Sequence, residues 1–374
     1  MRDENKQNYK VPYNYLDRQF CESEQIWSDL RELVRTGEFT IGPPVVKFEE
    51  QLARFVGTKF ALGTNTGTDA LILALKGLGV GPGDEVITQP NSFFATVGAI
   101  VAVGARPVFV DVRDDYAIDE TLIEGAVTSK TKAILPVHWA GQPASMLDIM
   151  EIAKRRNLVV VEDACPSLGA SINGKFMGSF GDAGAFSWHP LKPLNVWGDG
   201  GAIVTNNEKL IAWLKLYRNH GMINRDQIEL WGINNRLQSL QAVVALRQLP
   251  EVPKAVARRN EIAARIDAGL RDVPEIKIPT RDKKSVHSYQ IYILRAQKRD
   301  ALIAHLQNLG VDPKIHYPIP LHLQKPAKVW GYKPGDFPKC EAQARELITL
   351  PAHQFLTNDE VDYMIRCTRE FYDR

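Results

Sequence analysis

Short runs of β-branched and other apolar residues alternate with helical patterns between about residues 59 and 206. Seven runs have the length and composition of buried strands. They are KFALGT (59–64), DEVITQ (84–89), PVFVDV (107–112), KAILPVH (132–138), LVVVEDA (158–164), AGAFSW (183–188) and GGAIVTN (200–206). This alternation predicts an α/β layer with a mainly parallel sheet. Ligands of such sheets gather at the carboxyl ends of the strands, so the polar residues after each run are the first candidates for a site.

A second region follows the sheet. Helical spacing over residues 234–249, continued in VPKAVARRNEIAARIDAGL, predicts a long connecting helix with a bend near Pro250 and Pro253. Beyond it the patterns predict a strand at SYQIYIL, a helix at KRDALIAHLQNLG and a final helix after TNDEVDYMI. We therefore predict a large domain, 1–254, which includes an N-terminal extension, and a smaller C-terminal domain, 255–374.

Charge and composition narrow the function classes. The 374 residues contain 46 Lys and Arg against 44 Asp and Glu, so no strong field gathers nucleic acid or an anionic membrane. The polar start, MRDENKQNYK, lacks the apolar core of a signal peptide, and no apolar stretch is long enough to cross a bilayer. The four cysteines show no paired spacing for zinc or a redox dithiol. We expect free thiols, no metal and a cytoplasmic protein.

One glycine-rich segment, GLGVGPGDE, precedes a strand. A dinucleotide-binding fingerprint must instead follow a strand and open a helix. The segment is therefore predicted to be a turn, which removes the main support for a nicotinamide oxidoreductase.

Two strand ends carry groups suited to an anion and a cation. Thr66, Gly67 and Thr68 follow the first strand and precede a helical run, where free N–H groups and hydroxyls can bind an anion; a helix cap without a ligand is the alternative. Glu162 and Asp163 close an apolar strand, where a carboxylate needs a partner. A protonated pyridine nitrogen would be one, although an acidic strand end is equally common as a helix cap or metal ligand.

The segment GDAGAFSWHPLKPLNVWGDGGAIVTN places Lys192 five residues after Ser187, in a loop punctuated by Pro and Gly. Its apolar neighbours would partly desolvate the amine, which makes an amine nucleophilic toward aldehydes. A single lysine is most often a surface residue, so the interpretation depends on the combination of segments.

That combination resembles the DegT-type (DegT/DnrJ/StrS) sugar aminotransferases, which are homodimeric fold-type I enzymes that use pyridoxal phosphate. The resemblance covers nearly the whole chain. It is carried by GEFTIGPPVVKFEEQLARFVGTKFALGTNTGTDAL, GPGDEVITQPNSFFATVGAIVAVGARPVFVDV, ILPVHWAGQPASM, VVEDACPSLGA, FSWHPLKPLNVWGDGGAIVTN, LYRNHG, WGINNRLQSLQAVV and HYPIPLHLQ. It implies a large, mainly parallel seven-stranded sheet domain and a smaller C-terminal α+β domain.

The resemblance also implies a role for each matching residue. Lys192 would bond to the cofactor and carry the proton, Asp163 would pair with the pyridine nitrogen, and Phe93 would stack on the ring. Gly67, Thr68 and Ser187 would hold the phosphate beside Thr66, and Asn234 would reach the phosphate from the other subunit. Without the family, core packing of Phe93 and helix capping by Asn234 would be preferred. One position departs from the family: Pro166 stands where Gln or His usually contacts the ring oxygen, which leaves Ser167 or water for that contact.

The implied reaction moves an amino group from glutamate or glutamine to a keto- or aldehyde-sugar in amino-sugar and polysaccharide biosynthesis. His316 and Tyr317 in HYPIPLHLQ could hydrogen-bond the sugar, or pack at a domain interface, which is the preferred interpretation of His322. The acceptor stays open between a nucleotide-linked keto-hexose, a keto-inositol and an octulosonate-type sugar, which HPLKPLNVWGDGG resembles. The alternative is a sugar dehydratase of the same fold. In one branch of such dehydratases, histidine replaces the lysine that bonds to the cofactor, whereas this chain has Lys192. A non-catalytic regulatory member would lack the lysine or the aspartate.

Overall fold

The computed structural model describes residues 9–373. Its α-helices are α1 (Leu16–Gln19), α2 (Glu24–Thr36), α3 (Pro43–Val56), α4 (Gly67–Gly77), α5 (Phe94–Ala102), α6 (Glu120–Ile123), α7 (Met146–Arg156), α8 (Glu208–Tyr217), α9 (Ser239–Gln248), α10 (Val252–Leu270), α11 (Arg299–Asn308), α12 (Pro338–Glu346) and α13 (Asn358–Tyr372). Its strands are β1 (Phe60–Thr64), β2 (Glu85–Thr88), β3 (Arg106–Phe109), β4 (Thr131–Ile134), β5 (Val159–Asp163), β6 (Ser171–Ile172), β7 (Lys175–Phe176), β8 (Ala183–Ser187), β9 (Gly201–Thr205), β10 (Ile276–Lys277), β11 (Ser285–Val286), β12 (Tyr292–Ala296) and β13 (Leu347–Leu350).

The seven strands predicted from the sequence all form, and they make one sheet in the order β1-β9-β8-β5-β4-β2-β3. The pairs from β8 through β3 are parallel, whereas β9 is antiparallel to both β1 and β8. The prediction of a mainly parallel sheet is confirmed. The glycine-rich segment before β2 connects α4 to that strand, as predicted for a turn.

The antiparallel β9 brings several chain segments to one edge of the sheet. An antiparallel neighbour can be reached by a loop without a crossover helix. The loop from Ser187 to Gly201, which carries Lys192, therefore lies at the carboxyl end of β8. Thr64 at the end of β1 pairs with Gly201, and Asp163 ends the adjacent strand β5.

Helices cover both faces of this sheet. On one face, α2, α3 and α9 pack with sheet residues such as Phe186 and Val204. On the other, α4, α5 and α8 pack with residues such as Ala185 and Ile203. Neighbouring residues of β8 and β9 thus enter opposite cores, as the alternation of side chains along a strand requires.

The predicted connecting helix is bent at the expected place. A 3₁₀ turn at Leu249–Glu251 separates α9 from α10, next to Pro250 and Pro253. Its predicted start at residue 234 is wrong, because α9 begins at Ser239. Asn234 instead forms an isolated antiparallel bridge with Asn219.

The C-terminal region contains the antiparallel sheet β10-β12-β13 with α10, α11 and α13 packed against it. The predicted strand and both predicted helices form, although β12 begins only at Tyr292. The last helix begins at Asn358, within TNDEVDYMI rather than after it. Val11 belongs to this core and bridges to Val311, so part of the N-terminal extension packs with the C-terminal region. The domain boundary after residue 254 stays a prediction.

No helix within residues 9–373 has the length and apolarity needed to traverse a bilayer.

Candidate active site

A cavity of about 430 Å³ opens at the edge of the sheet where β1, β5 and β8 end. The carboxyl ends of parallel strands meet at this edge, where ligands of such sheets bind. The predicted site residues that line it are Thr66, Gly67, Thr68, Phe93, Asp163, Ser187, Lys192, His316 and Tyr317. The structure therefore brings nine of the ten predicted residues to one cavity. Asn234 is exposed and is absent from the lining residues within 9–373.

The N-terminus of α4 forms one end of the cavity. The Thr66 hydroxyl accepts from the Asp69 backbone N–H at 3.0 Å and donates to the Asp69 carboxylate at 3.0 Å, so it is engaged in capping the helix. Thr68 and Ser187 supply the other hydroxyls at this end. Gly67 has no side chain to obstruct the N–H groups of the first turn. These groups make a suitable site for a phosphate.

Asp163 is only 4% exposed at the end of β5, yet it lines the cavity. One carboxylate oxygen, Oδ2, accepts a 2.7 Å hydrogen bond from the Thr96 hydroxyl, and Oδ1 accepts a longer one of 3.3 Å from the Cys165 backbone N–H. A buried carboxylate is costly unless a cation or further donors compensate it. The side chain is therefore suited to a cationic ligand group in the cavity.

Glu162, the neighbouring carboxylate, has a different environment because it points to the opposite side of the strand. It accepts from His138 Nε2 at 2.9 Å and from the backbone N–H groups of Gly178, Phe180 and Gly181. His138 Nδ1 accepts from the Ala144 backbone N–H, so the ring hydrogen is on Nε2. Glu162 thus anchors a loop, whereas the Asp163 carboxylate lines the cavity.

Lys192 is partly buried, as its apolar neighbours predict. Its carbonyl oxygen accepts hydrogen bonds from the Tyr15 hydroxyl and the Asn195 amide, each at 3.4 Å. The Gln290 amide donates to the carbonyl oxygen of Leu191 at 3.3 Å. Tyr15, far before the loop in sequence, and Gln290, far after it, therefore hold the loop. These contacts fix where the lysine enters the cavity.

The cavity mouth is aromatic. Phe93 caps the start of α5 and is 50% exposed, so it is not a core residue. Its ring centroid lies 6.0 Å from that of Tyr317. Burial and the negative charge of Asp163 raise the pKa of Tyr317 to about 12, so this hydroxyl keeps its proton at neutral pH.

His316 lies beside Tyr317 and hydrogen-bonds the Thr349 hydroxyl at 2.9 Å. Burial, together with the positive charges of Lys192 and Lys314, lowers the pKa of His316 to about 4. The imidazole is therefore neutral at physiological pH. His322, by contrast, is buried against Phe337 and hydrogen-bonded to Glu341, away from the cavity, as the packing interpretation predicts.

Several residues of this site were not predicted from the sequence. Tyr13, from the N-terminal extension, lines the cavity and stacks on His316 with ring centroids 5.8 Å apart. Ser92 and Thr96 also line it, on either side of Phe93. Both belong to NSFFAT, and the hydroxyl residues on either side of Phe93 in that segment were the available signal.

The departure at Pro166 has a clear local structure. Pro166 lines the cavity, and its carbonyl oxygen accepts from the Ser288 hydroxyl at 2.8 Å. Ser167 is fully buried, and its hydroxyl donates to the Ala164 carbonyl oxygen at 3.1 Å. Of the two groups expected to replace the missing side-chain donor, Ser167 is thus engaged elsewhere.

The sequence from residue 20 to residue 369 matches the DegT/DnrJ/EryC1/StrS aminotransferase family. The chain belongs to that family. This aminotransferase is 38% identical to a pleiotropic regulatory protein of Geobacillus stearothermophilus, over 97% of this chain and 98% of the relative. It is 37% identical to dTDP-3-amino-3,4,6-trideoxy-alpha-D-glucose transaminase of Streptomyces venezuelae, over 92% and 91%.

The fold of this aminotransferase is also that of solved relatives. The X-ray structure of DesV from S. venezuelae matches it with a TM-score of 0.95 and 35% identity, over 97% of this chain and 99% of that one. The fold-type I architecture is therefore confirmed. Family members use pyridoxal phosphate, and the chain is a pyridoxal-phosphate-dependent sugar aminotransferase.

The cavity fits this cofactor on its own geometry. The helix N-terminus, where a Cβ on Gly67 would already collide with Ser187, offers N–H groups for a phosphate. The buried Asp163 carboxylate offers a partner for a protonated ring nitrogen, and the exposed face of Phe93 offers a surface for the ring.

Proposed function

We propose that this enzyme moves an amino group from glutamate or glutamine to the carbonyl carbon of a sugar, with Lys192 as the catalytic amine and Asp163 as the partner of the cofactor nitrogen. The observation that carries the proposal is that both side chains line one cavity that ends at a helix N-terminus. When bound, the cofactor withdraws electrons from the substrate carbon.

The remaining work belongs to side chains. Lys192 would hold and return the proton of the substrate carbon, since an amine beside that carbon can act as both base and acid. Gly67, Thr68 and Ser187 would hold the phosphate, and Phe93 would fix the plane of the ring. Thr66 would contribute by shaping the helix start, because its hydroxyl is engaged by Asp69.

The proposal that the amino acceptor is a sugar rests on the residues at the cavity mouth. His316, Tyr317 and Tyr13 present an imidazole and two phenols beside Lys192. Such groups can hydrogen-bond the hydroxyls of a sugar, and a site built to do so rejects an analogue that lacks them. The named substrates of relatives favour a nucleotide-linked keto-hexose over the octulosonate-type sugar that HPLKPLNVWGDGG resembles.

An acceptor panel tests this function. The purified enzyme is loaded with cofactor and given glutamate or glutamine, together with nucleotide-linked 3-keto and 4-keto hexoses, a keto-inositol, an octulosonate-type aldehyde, pyruvate or oxaloacetate. We expect kcat/KM for one carbonyl sugar to exceed that for the keto acids by about 100-fold or more. Equal or better use of the keto acids would instead identify a general amino-acid aminotransferase.

The same panel addresses the other functions. A sugar dehydratase would release water from the sugar and leave no amino group on the product. A regulatory protein would show no turnover, although one relative has a regulatory name. The presence of both Lys192 and Asp163 in the cavity favours catalysis over either alternative.

We also propose a cytoplasmic homodimer in which Asn234 of each chain completes the phosphate site of the other. Support comes from the loop that precedes Asn234, which exposes large apolar side chains: Ile223 57%, Ile228 46%, Trp231 88% and Ile233 41%. Apolar groups exposed together on a surface are typical of an interface. Asn234 lies outside the cavity lining of its own chain but close to it, since its carbonyl oxygen accepts from the Asn65 amide at 3.4 Å.

A further inference from the structure

A chain of two buried hydroxyls leads to the carboxylate of the site. Ser92 Oγ lies 2.7 Å from Thr96 Oγ1, and Thr96 Oγ1 lies 2.7 Å from Asp163 Oδ2. Ser92 is 3% exposed, Thr96 is fully buried and Asp163 is 4% exposed. Few other groups can therefore replace these hydrogen bonds.

The direction of the chain follows from hydrogen-bond chemistry. An ionised carboxylate only accepts, so Thr96 must give its single hydroxyl hydrogen to Asp163. The Ser92–Thr96 contact then has one possible polarity, in which Ser92 donates and Thr96 accepts. Both hydroxyl dipoles consequently point toward the carboxylate, and each strengthens the other.

This chain of hydroxyls lies at the start of α5, beside the proposed stacking surface for the cofactor ring. Ser92 and Thr96 flank Phe93, whose ring lines the cavity at the helix start. A single short segment, NSFFAT, thus supplies an aromatic face and both hydroxyls behind the carboxylate. Oδ2 accepts the short hydrogen bond from Thr96, whereas Oδ1 accepts only the longer one from the Cys165 backbone N–H, so Oδ1 has more capacity for a strong cationic partner.

We propose that Thr96, supported by Ser92, is a positioning residue that fixes the orientation of the Asp163 carboxylate toward the cofactor nitrogen. The inference rests on the proposed role of Asp163. A hydrogen bond to the ionised form of a carboxylate stabilises that form. Without it, the Asp163 carboxylate would be less well oriented and would hold the protonated ring nitrogen less firmly.

Thr96→Val tests this, because valine keeps the shape of threonine and removes the hydroxyl. We expect the dissociation constant for pyridoxal phosphate to rise about tenfold and kcat to fall by a similar factor. The visible absorbance of the bound cofactor should titrate at higher pH, since its ring would be less positive. Thr96→Ser restores the hydroxyl and should return all three quantities most of the way to wild type.

Two further variants separate this effect from general destabilisation. Thr88 is also fully buried, and its hydroxyl donates to the Leu135 carbonyl oxygen at 2.8 Å. Thr88→Val should leave the absorbance titration unchanged. Ser92→Ala should shift it in the same direction as Thr96→Val but less, and it keeps the test available if Thr96→Val fails to fold.

Asp163→Asn distinguishes the inference from the function on which it rests. If that substitution leaves cofactor affinity and kcat unchanged, the proposed role of Asp163 is wrong. If it impairs both while Thr96→Val behaves like Thr88→Val, only the hydroxyl chain is wrong. Equal impairment in Thr96→Val and Thr96→Ser would also overturn the inference, because the hydroxyl would then be irrelevant.

Discussion

A Cβ atom added to Gly67 would lie 2.6 Å from the Cβ of Ser187. The start of α4 and the end of β8 therefore touch with no room for one more methyl group. The same added atom would lie 2.9 Å from Cys165 Sγ. Three segments of the chain thus meet at the proposed phosphate site, and their separation is set by the absence of a single side chain.

Gly67→Ala should therefore separate these segments. We expect it to lower the free energy of unfolding by about 1–3 kcal/mol and to weaken cofactor binding, because the methyl group overpacks the site. Urea denaturation of the apoprotein and a binding titration measure the two effects. Gly125→Ala is the matched control, since its added Cβ would have nothing within 4 Å. Similar results for both variants would contradict the packing argument.

Lys192 should be the residue that bonds to the cofactor. Borohydride reduction of the holoenzyme followed by peptide mapping should place the adduct on Lys192, and Lys192→Ala should lower kcat by about 1,000-fold or more while phosphate-mediated binding persists. Lys175→Ala is the control, because that ammonium lies 4.2 Å from the Phe180 ring centroid and outside the cavity lining. An adduct on Lys175, or no adduct, would refute the assignment.

Shared active sites predict recovery of activity in mixed dimers. Lys192→Ala is inactive and Asn234→Ala should bind cofactor poorly, so each homodimer has two defective sites. In a mixed dimer one site would receive both defects and the other neither, so up to about half of the activity of a wild-type dimer should return. Differently tagged subunits show whether exchange has occurred. No recovery after proven exchange would mean that each site is complete within one chain.

Tyr13 should affect the acceptor half of the reaction more than the donor half. Its ring stacks on His316 at the cavity mouth, where a sugar is much larger than glutamate. We expect Tyr13→Ala to lower kcat/KM for the sugar roughly tenfold or more, and Tyr13→Phe to have a smaller effect because the ring remains. Single-turnover measurements of each half-reaction provide the comparison. Equal losses in both halves would show that Tyr13 acts on the cofactor or on folding.

Stability should fall in acid because of His353. Burial lowers the pKa of His353 to about 4, and its Nε2–H donates to the Pro12 carbonyl oxygen. At pH values between the folded pKa of about 4 and an unfolded pKa near 6.5, His353 binds a proton in the unfolded chain but not in the folded protein. The contribution of His353 to stability is therefore fully present above about pH 6.5 and is lost as the pH falls. From pH 7 to pH 5 the wild type should lose about 2 kcal/mol more than His353→Gln. Equal losses in urea denaturation would contradict this.

The sheet and the centre of the site were predictable because both depend on local patterns. Apolar runs specify the strands, and the carboxyl ends of parallel strands specify one edge, so Asp163 and Lys192 could be placed together without the structure. The family resemblance then supplied roles that spacing alone left open. For Phe93, the resemblance gave the cavity position that the residue occupies, whereas pattern alone favoured the core.

The errors and omissions involve contacts between distant residues. The helix start at residue 234 was wrong because Asn235 donates to the Arg218 carbonyl oxygen and Asn234 bridges to Asn219, which holds this segment extended. Tyr13 was missed because its position depends on a contact with His316, about 300 residues away. No local periodicity contains either contact.

The pairing of Val11 with Val311 has a consequence for the order of events during synthesis. Segment 11–18 holds the Lys192 carbonyl through Tyr15, and it is itself held by Val311, His353 and Glu360. At roughly 5–20 residues per second, a ribosome makes the first of these residues about 15–60 seconds before residue 311. The large sheet can assemble in that interval, but the lysine loop acquires its final support only when nearly the whole polypeptide has emerged. A nascent or C-terminally shortened chain should therefore be folded in its sheet and still be unable to position Lys192.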